Sequence, residues 1–305
     1  MISDRWFALV LLAAGVIPAA AQGVARTPDG KPDLQGTWTN GFATPLERPR
    51  NLGDQAYYSD AEVAAFEKGV RERPGPADPV ADPEVWWERA TRSVSSRRTS
   101  MVTDPADGRI PALTAQAQQR MADVRAETRK HPDSGPEDRS LMERCIVSPA
   151  GGPVPMLPGP YNNNYQFVQT RGYVIIVIEM IHDVRIVRMD GSPHVSSKVR
   201  QWLGDSTGRW EGDTLVVDTK NFTDRTRFHG ADENLHVMEK FTRTGADTLL
   251  YQFTIDDPTA FVKPWTAEIP LGKSDGLMYE FSCHEGNLAM ANMLNTARLA
   301  EKKGK

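Results

Sequence analysis

Four of the six histidines, His182, His194, His236 and His284, stand within or beside runs of strand-forming residues, each with carboxylates close in sequence. Glu179 and Asp183 flank His182, Asp190 precedes His194, Glu239 follows His236, and Glu280 and Glu285 bracket His284. Imidazole titrates near neutral pH, and a neighbouring carboxylate can orient the ring or supply charge, so these pairings suit general acid–base chemistry. The same residue types also serve as ordinary hydrogen-bonded structural histidines. Three histidines converging from different strands would instead make a divalent-metal site, with His182, His236 and His284 as its ligands. No H-E-x-x-H, C-x-x-C or H-x-H spacing accompanies them, and no organic cofactor is expected.

Strand parity narrows the set. One unbroken alternating register over Tyr173–Met189 puts Glu179, Asp183 and Arg185 on a face with Ile175, Val177 and Val187, and His182 opposite, beside Val184 and Ile186. Ionisable groups on an apolar face are costly unless paired or placed at a site. Glu179, Asp183 and Arg185 therefore join His182, His236 and His284 as catalytic candidates, with a buried Arg185–carboxylate bridge as the structural alternative. A break near His182 would change the parity and move it to the same side. The cluster Tyr161-Asn162-Asn163-Asn164-Tyr165 offers donors, acceptors and flat rings suited to a hydroxylated ligand, although asparagine is also favoured in turns. Tyr161, Asn163, Tyr165 and Trp265 are the expected substrate contacts.

Several chemistries are excluded. No G-x-S-x-G elbow, G-x-G-x-x-G fingerprint or P-loop occurs, which argues against a serine hydrolase or a nucleotide enzyme. Cys283 and His284 are adjacent and would point to opposite faces of a strand, so a thiol nucleophile is rejected. The net charge of −4 gives no electrostatic case for nucleic acid or an anionic membrane. A small-molecule substrate or ligand is the expected partner, with the oligomeric state left open.

Around these residues, the chain of 305 residues reads in four parts. Arg5, the apolar run Trp6–Ile17 and the small residues up to Ala21 have the form of a secretory signal peptide, residues 1–21, and the run is too short to span a bilayer. Export to the periplasm or outside the cell is expected, and there Cys145 and Cys283 would form a disulfide.

Residues 22–148 read as helices and loops. Leu34–Thr39 is one extended piece, and a capping box at Ser59–Glu62 opens a helix through Val63, Phe66 and Val70. A Pro-rich crossing follows at Pro74–Pro83, then helices over Thr114–Lys130 and Pro136–Cys145.

From Pro149 the pattern becomes β. Strands are expected at Tyr165–Gln169, Tyr173–Met180, Asp183–Met189, Thr214–Thr219, Leu235–Arg243, Thr248–Asp256, Trp265–Leu271 and Leu277–Cys283. Hairpin signals stand at Asp190-Gly191, Glu211-Gly212-Asp213 and Thr244–Asp247. Leu249, Tyr251, Phe253 and Ile255 alternate with Leu250, Gln252, Thr254 and Asp256. The fold expected over 149–286 is an antiparallel β-barrel or curved sheet with a polar-tipped cavity, followed by a C-terminal helix and tail over 287–305.

Gly36-Thr37-Trp38 resembles the G-x-W signature of lipocalin-type barrels, which places the expected fold among calycin-like barrels. The segments RTPDGKPDLQGTW, YNNNYQFVQT, IEMIHDVRIV, QWLGDSTGRWEGDTLVV, NLHVMEKFTR and CHEGN resemble a family of exported bacterial proteins. That likeness implies boundaries and compartment and carries no reaction. The expected function is acid–base lyase, isomerase or hydrolase chemistry on a small hydroxylated substrate in the barrel. The alternative is a non-catalytic binding protein of lipocalin type.

Overall fold

The computed structural model describes residues 24–73, 90–130, 133, 135–148 and 153–303. The signal segment, the Pro74–Pro83 crossing and the boundary at Pro149 lie outside these residues.

Nine strands close into a barrel: β1 (Gly36–Thr39), β3 (Asn164–Gln169), β4 (Tyr173–Ile178), β5 (Val184–Arg188), β6 (Asp205–Glu211), β7 (Thr214–Lys220), β8 (His236–Arg243), β9 (Thr248–Asp256) and β10 (Trp265–Ser274), with β10 pairing back to β1. The short β2 (Val102–Asp104) adds to β10 beside the ring. Alternation sets the inside: Leu249, Tyr251, Phe253 and Ile255 are all fully buried. Together with Trp38, Tyr165, Phe167, Phe241 and Trp265 they pack the interior with aromatic side chains rather than leaving it hollow.

The ladder is antiparallel except at one place. Asp190-Gly191 makes a turn, with the Ser192 amide donating to Asp190 Oδ1 at 3.0 Å, but no hairpin follows. Residues 192–200 lack alternating apolar side chains, so the chain crosses outside the wall and enters β6 parallel to β5, pairing Val187 with Ser206 and Arg188 with Thr207. The expected fully antiparallel barrel is thus a mixed one. Gly204 turns the chain into β6 at a φ of +69°, where a Cβ would lie 2.7 Å from the Lys220 carbonyl.

Three further expectations are corrected. Leu277–Cys283 forms no strand, because β1 already occupies the edge of β10 (Trp38 opposite Lys273) and the ring is complete. Its Leu277 and Tyr279 stand in solvent. Pro136–Cys145 is a 3₁₀ turn at Pro136–Asp138 followed by turns, since Ser140 opens a new cap with Glu143 and Cys145 is left-handed at φ 55°. The single register through Tyr173–Met189 breaks at Met180–His182, so Arg185 and Val187 share the inner face with Val174, Ile176 and Ile178.

Helix α1 (Asp60–Glu72) has the expected capping box. Helix α2 (Ala115–Lys130) starts at Thr114, whose hydroxyl accepts from the Ala117 amide and donates to the Thr259 carbonyl. Arg120 ties it to the barrel through Asp232 at 2.8 Å and the Gly230 carbonyl at 2.7 Å. Helix α3 (Leu288–Lys302) begins at Asn287 beside the Cys145–Cys283 disulfide.

Candidate functional site

The ends of β1, β4, β7 and β9 meet the starts of β3, β5, β6, β8 and β10 at one mouth of the barrel. The connections that follow β1, β4, β7 and β9 open there. A strap, residues 153–157, lies across this mouth and is fastened from inside. Arg185 Nη1 donates to the Pro153 carbonyl at 3.5 Å, the Met156 amide donates to Tyr251 Oη at 3.1 Å, and Asn40 Nδ2 donates to the Met156 carbonyl at 3.0 Å.

Beneath the strap, Arg185 is completely satisfied. Its Nε donates to Ser206 Oγ at 3.0 Å, Nη2 to Thr219 Oγ1 at 2.6 Å, and the two terminal nitrogens grip the Glu239 carboxylate. Tyr251 adds a 2.8 Å bond to Glu239 Oε1, and burial followed by the Glu239 charge raises its hydroxyl well above the ordinary range. An ion pair with every donor used has nothing left for a ligand. The structural alternative for Arg185 is the one observed.

Outside the strap a cavity of about 720 Å³ opens between α2, the 137–142 turns, the crossover end and the β7–β8 loop. Leu141, Met142, Val154, Trp202, Leu203, Phe222 and Phe228 give it an apolar floor and walls. Glu127, Glu137, Asp138, Arg139, Arg225 and Arg227 supply charge. Arg139 is held by Glu143 and Asp133; the Glu143 hydrogen bond above all raises its pKa, against the opposing effect of burial. Phe228 stacks on Trp265, ring centres 6.1 Å apart, so Trp265 lies one layer behind the wall.

None of the sequence-derived candidates lines this cavity. Tyr165 is inside the barrel, its hydroxyl accepting from Asn40, and Asn163 closes a loop by bonding both backbone groups of Gly159. Tyr161 leans on Phe281. His236 sits on the outer wall, with Nε2 3.1 Å from Asp218 Oδ1, while its expected partner Glu239 faces inward. His194 pairs with Asp205 and Asp218 rather than Asp190.

A second assembly keeps four candidates together. At the turn after β4, Ile181 and His182 both adopt left-handed backbone, φ 60° and 47°. That conformation strains a β-branched residue by about 1–3 kcal/mol. His182 Nδ1 lies 3.0 Å from the Phe281 carbonyl, and its ring centre is 6.5 Å from that of His284; both histidines are exposed. Glu179 accepts from the Asn164 amide and side chain. Burial pushes the Asp183 carboxyl up to about 6, partly opposed by the His182 charge, and Asp183 Oδ2 is buried without a hydrogen-bond partner. His236 is not part of this group. Among the described residues, no three or more His, Cys, Asp or Glu side chains are arranged to hold a metal ion, so the three-histidine set does not assemble.

Of the cavity residues, Trp202, Leu203, Phe222 and Phe228 fall in segments that read as turns, QWLGDS and NFTDRTRF. A legible sign was there: Trp202, Leu203, Phe222 and Phe228 are large apolar residues in stretches too polar and irregular to be strands.

No family model, curated protein or solved structure matches this chain.

Proposed function

We propose that this chain is a small-molecule-binding protein whose ligand lodges in the 720 Å³ cavity at the strapped mouth of the barrel. The observation that carries this reading is a concave apolar pocket with charged groups along its lining, set against a barrel interior already filled. A closed barrel with Trp38 buried at its Gly36-Thr37-Trp38 strand is consistent with a calycin-like ancestry of lipocalin type. The leader-like N-terminus, the disulfide and the likeness to exported bacterial proteins support a periplasmic or secreted setting. The test is titration of the full chain with Nile red, a neutral apolar fluorophore. Saturable one-to-one binding that Leu203→Trp abolishes without lowering the melting temperature is expected. Absent binding, or binding undiminished in that variant, overturns the reading.

The strained turn favours a second reading, proton transfer at its histidines and Asp183. A carboxyl titrating at about 6 is poised for such work. On this reading His182→Gln lowers turnover of a processed substrate about 10²- to 10⁴-fold with the fold intact, and unaltered turnover excludes it.

A further inference from the structure

One cluster of titratable side chains takes no part in either site. His194 lies on the crossover between β5 and β6, against the outer wall. Its Nδ1 is 2.9 Å from Asp205 Oδ2 and its Nε2 is 3.0 Å from Asp218 Oδ1. A neutral imidazole has one N–H and one lone pair. With a carboxylate oxygen at each nitrogen, one contact would set a lone pair against negative charge. Only the imidazolium satisfies both.

The surrounding groups are as follows. From β5, Arg188 donates to Asp205 Oδ2 at 2.9 Å; from β7, Lys220 Nζ lies 3.8 Å from Asp218; from β8, His236 Nε2 shares Asp218 Oδ1; from β6, Thr207 Oγ1 is 3.5 Å from His194 Nε2. His236, on β8, reaches the cluster through Asp218. Burial acts to raise the Asp218 carboxyl, but His236, Lys220 and His194 outweigh it and hold it down at about 2. Asp218 therefore stays ionised throughout the range in which histidine titrates.

Position gives the cluster its consequence. The Val195 amide also donates to Asp205 Oδ2 at 3.0 Å, and Asn221 Nδ2 donates to the Val195 carbonyl at 3.0 Å, so His194 sits where the crossover is fastened to the barrel. The same segment then runs to Trp202 and Leu203, which form part of the cavity wall. We propose that His194 is a proton-operated latch: as imidazolium it clasps Asp205 and Asp218 and holds the cavity wall in place, and loss of its second proton loosens that wall as pH rises. The functional consequence rests on the cavity being the ligand site.

The test is hydrogen exchange over residues 192–204 of the full chain at about pH 5 and about pH 8, either side of the histidine range and corrected for intrinsic exchange rates. It is run on the wild type, His194→Gln and His236→Gln, with Nile red titrated alongside. The wild type is expected to lose protection by about tenfold at the higher pH, equivalent to about 1.4 kcal/mol, and to bind the dye more weakly there. His194→Gln is expected to show no such pH response, and His236→Gln to keep it. Equal wild-type protection at both pH values, a response surviving in His194→Gln, or a response lost in His236→Gln overturns the latch. Should His194→Gln fail to fold, the wild type and His236→Gln still decide. A pH-dependent crossover in a protein that never takes up the dye supports the latch and overturns the binding reading instead.

Discussion

Arg185 and Glu239 face each other inside the barrel as a two-pronged ion pair, their side chains 2% and 0% exposed. The pair is the hub from which the strap is held, directly through the Pro153 carbonyl and indirectly through Tyr251 and the Met156 amide. Removing one partner strands the other as an uncompensated buried charge. Glu239→Ala is expected to cost about 3–5 kcal/mol in urea denaturation, and the double change Arg185→Met with Glu239→Leu much less. A loss under about 1 kcal/mol for the single variant would show that solvent reaches the pair.

A ligand that fills the cavity binds only the folded chain, so it raises the melting temperature with the logarithm of its concentration above the dissociation constant. At a hundred times its dissociation constant, the stabilisation is about 2.7 kcal/mol. Differential scanning calorimetry with Nile red should show this in the wild type and lose it in Leu203→Trp.

The Cys145–Cys283 disulfide spans 138 residues. In the chain-entropy account, cross-linking so long a loop restricts the unfolded state by about 5 kcal/mol. Replacing both cysteines with serine is expected to lower stability towards that figure and to release α3, whose cap at Asn287 leans on Cys145 and on the Glu143 carbonyl. Proteolysis of the C-terminal tail reports the second effect.

Burial raises Asp183 from an ordinary carboxyl to about 6, so the fold favours its neutral form. The stabilisation is fully present below the unfolded value near 3.9, and it is lost as pH rises through about 6. Asp183→Asn should therefore gain about 1 kcal/mol relative to wild type between acid and neutral pH, less than the full shift because solvent screens a partly exposed group. Parallel pH dependence of the two melting temperatures would contradict this.

Much of the barrel was legible because the alternation of Leu249–Ile255 and the turn at Thr244–Asp247 are local signals. The parallel entry of β6 was not, since Asp190-Gly191 specifies a turn and says nothing of what the chain does after it. The disulfide followed from having two cysteines and an expected oxidising compartment. Arg185 was readable as an ionisable residue on an apolar strand, but its partner depended on which strand came to lie across the interior. Of the site candidates, those close in sequence, Glu179, His182 and Asp183, also meet in space at their turn. His236, brought from a distant strand, went elsewhere. His194 found its carboxylates across the crossover, on β6 and β7, rather than next to itself in sequence.

The closing strand has a kinetic meaning. β1 precedes every other strand of the ring, yet its register needs Trp38 against Tyr165 on one side and Lys273 on the other. The ring therefore cannot be sealed until the chain has been made through β10. Long-range pairing of this kind folds slowly, over milliseconds to seconds rather than microseconds. The nascent ring thus stays open between β1 and its neighbour until β10 arrives.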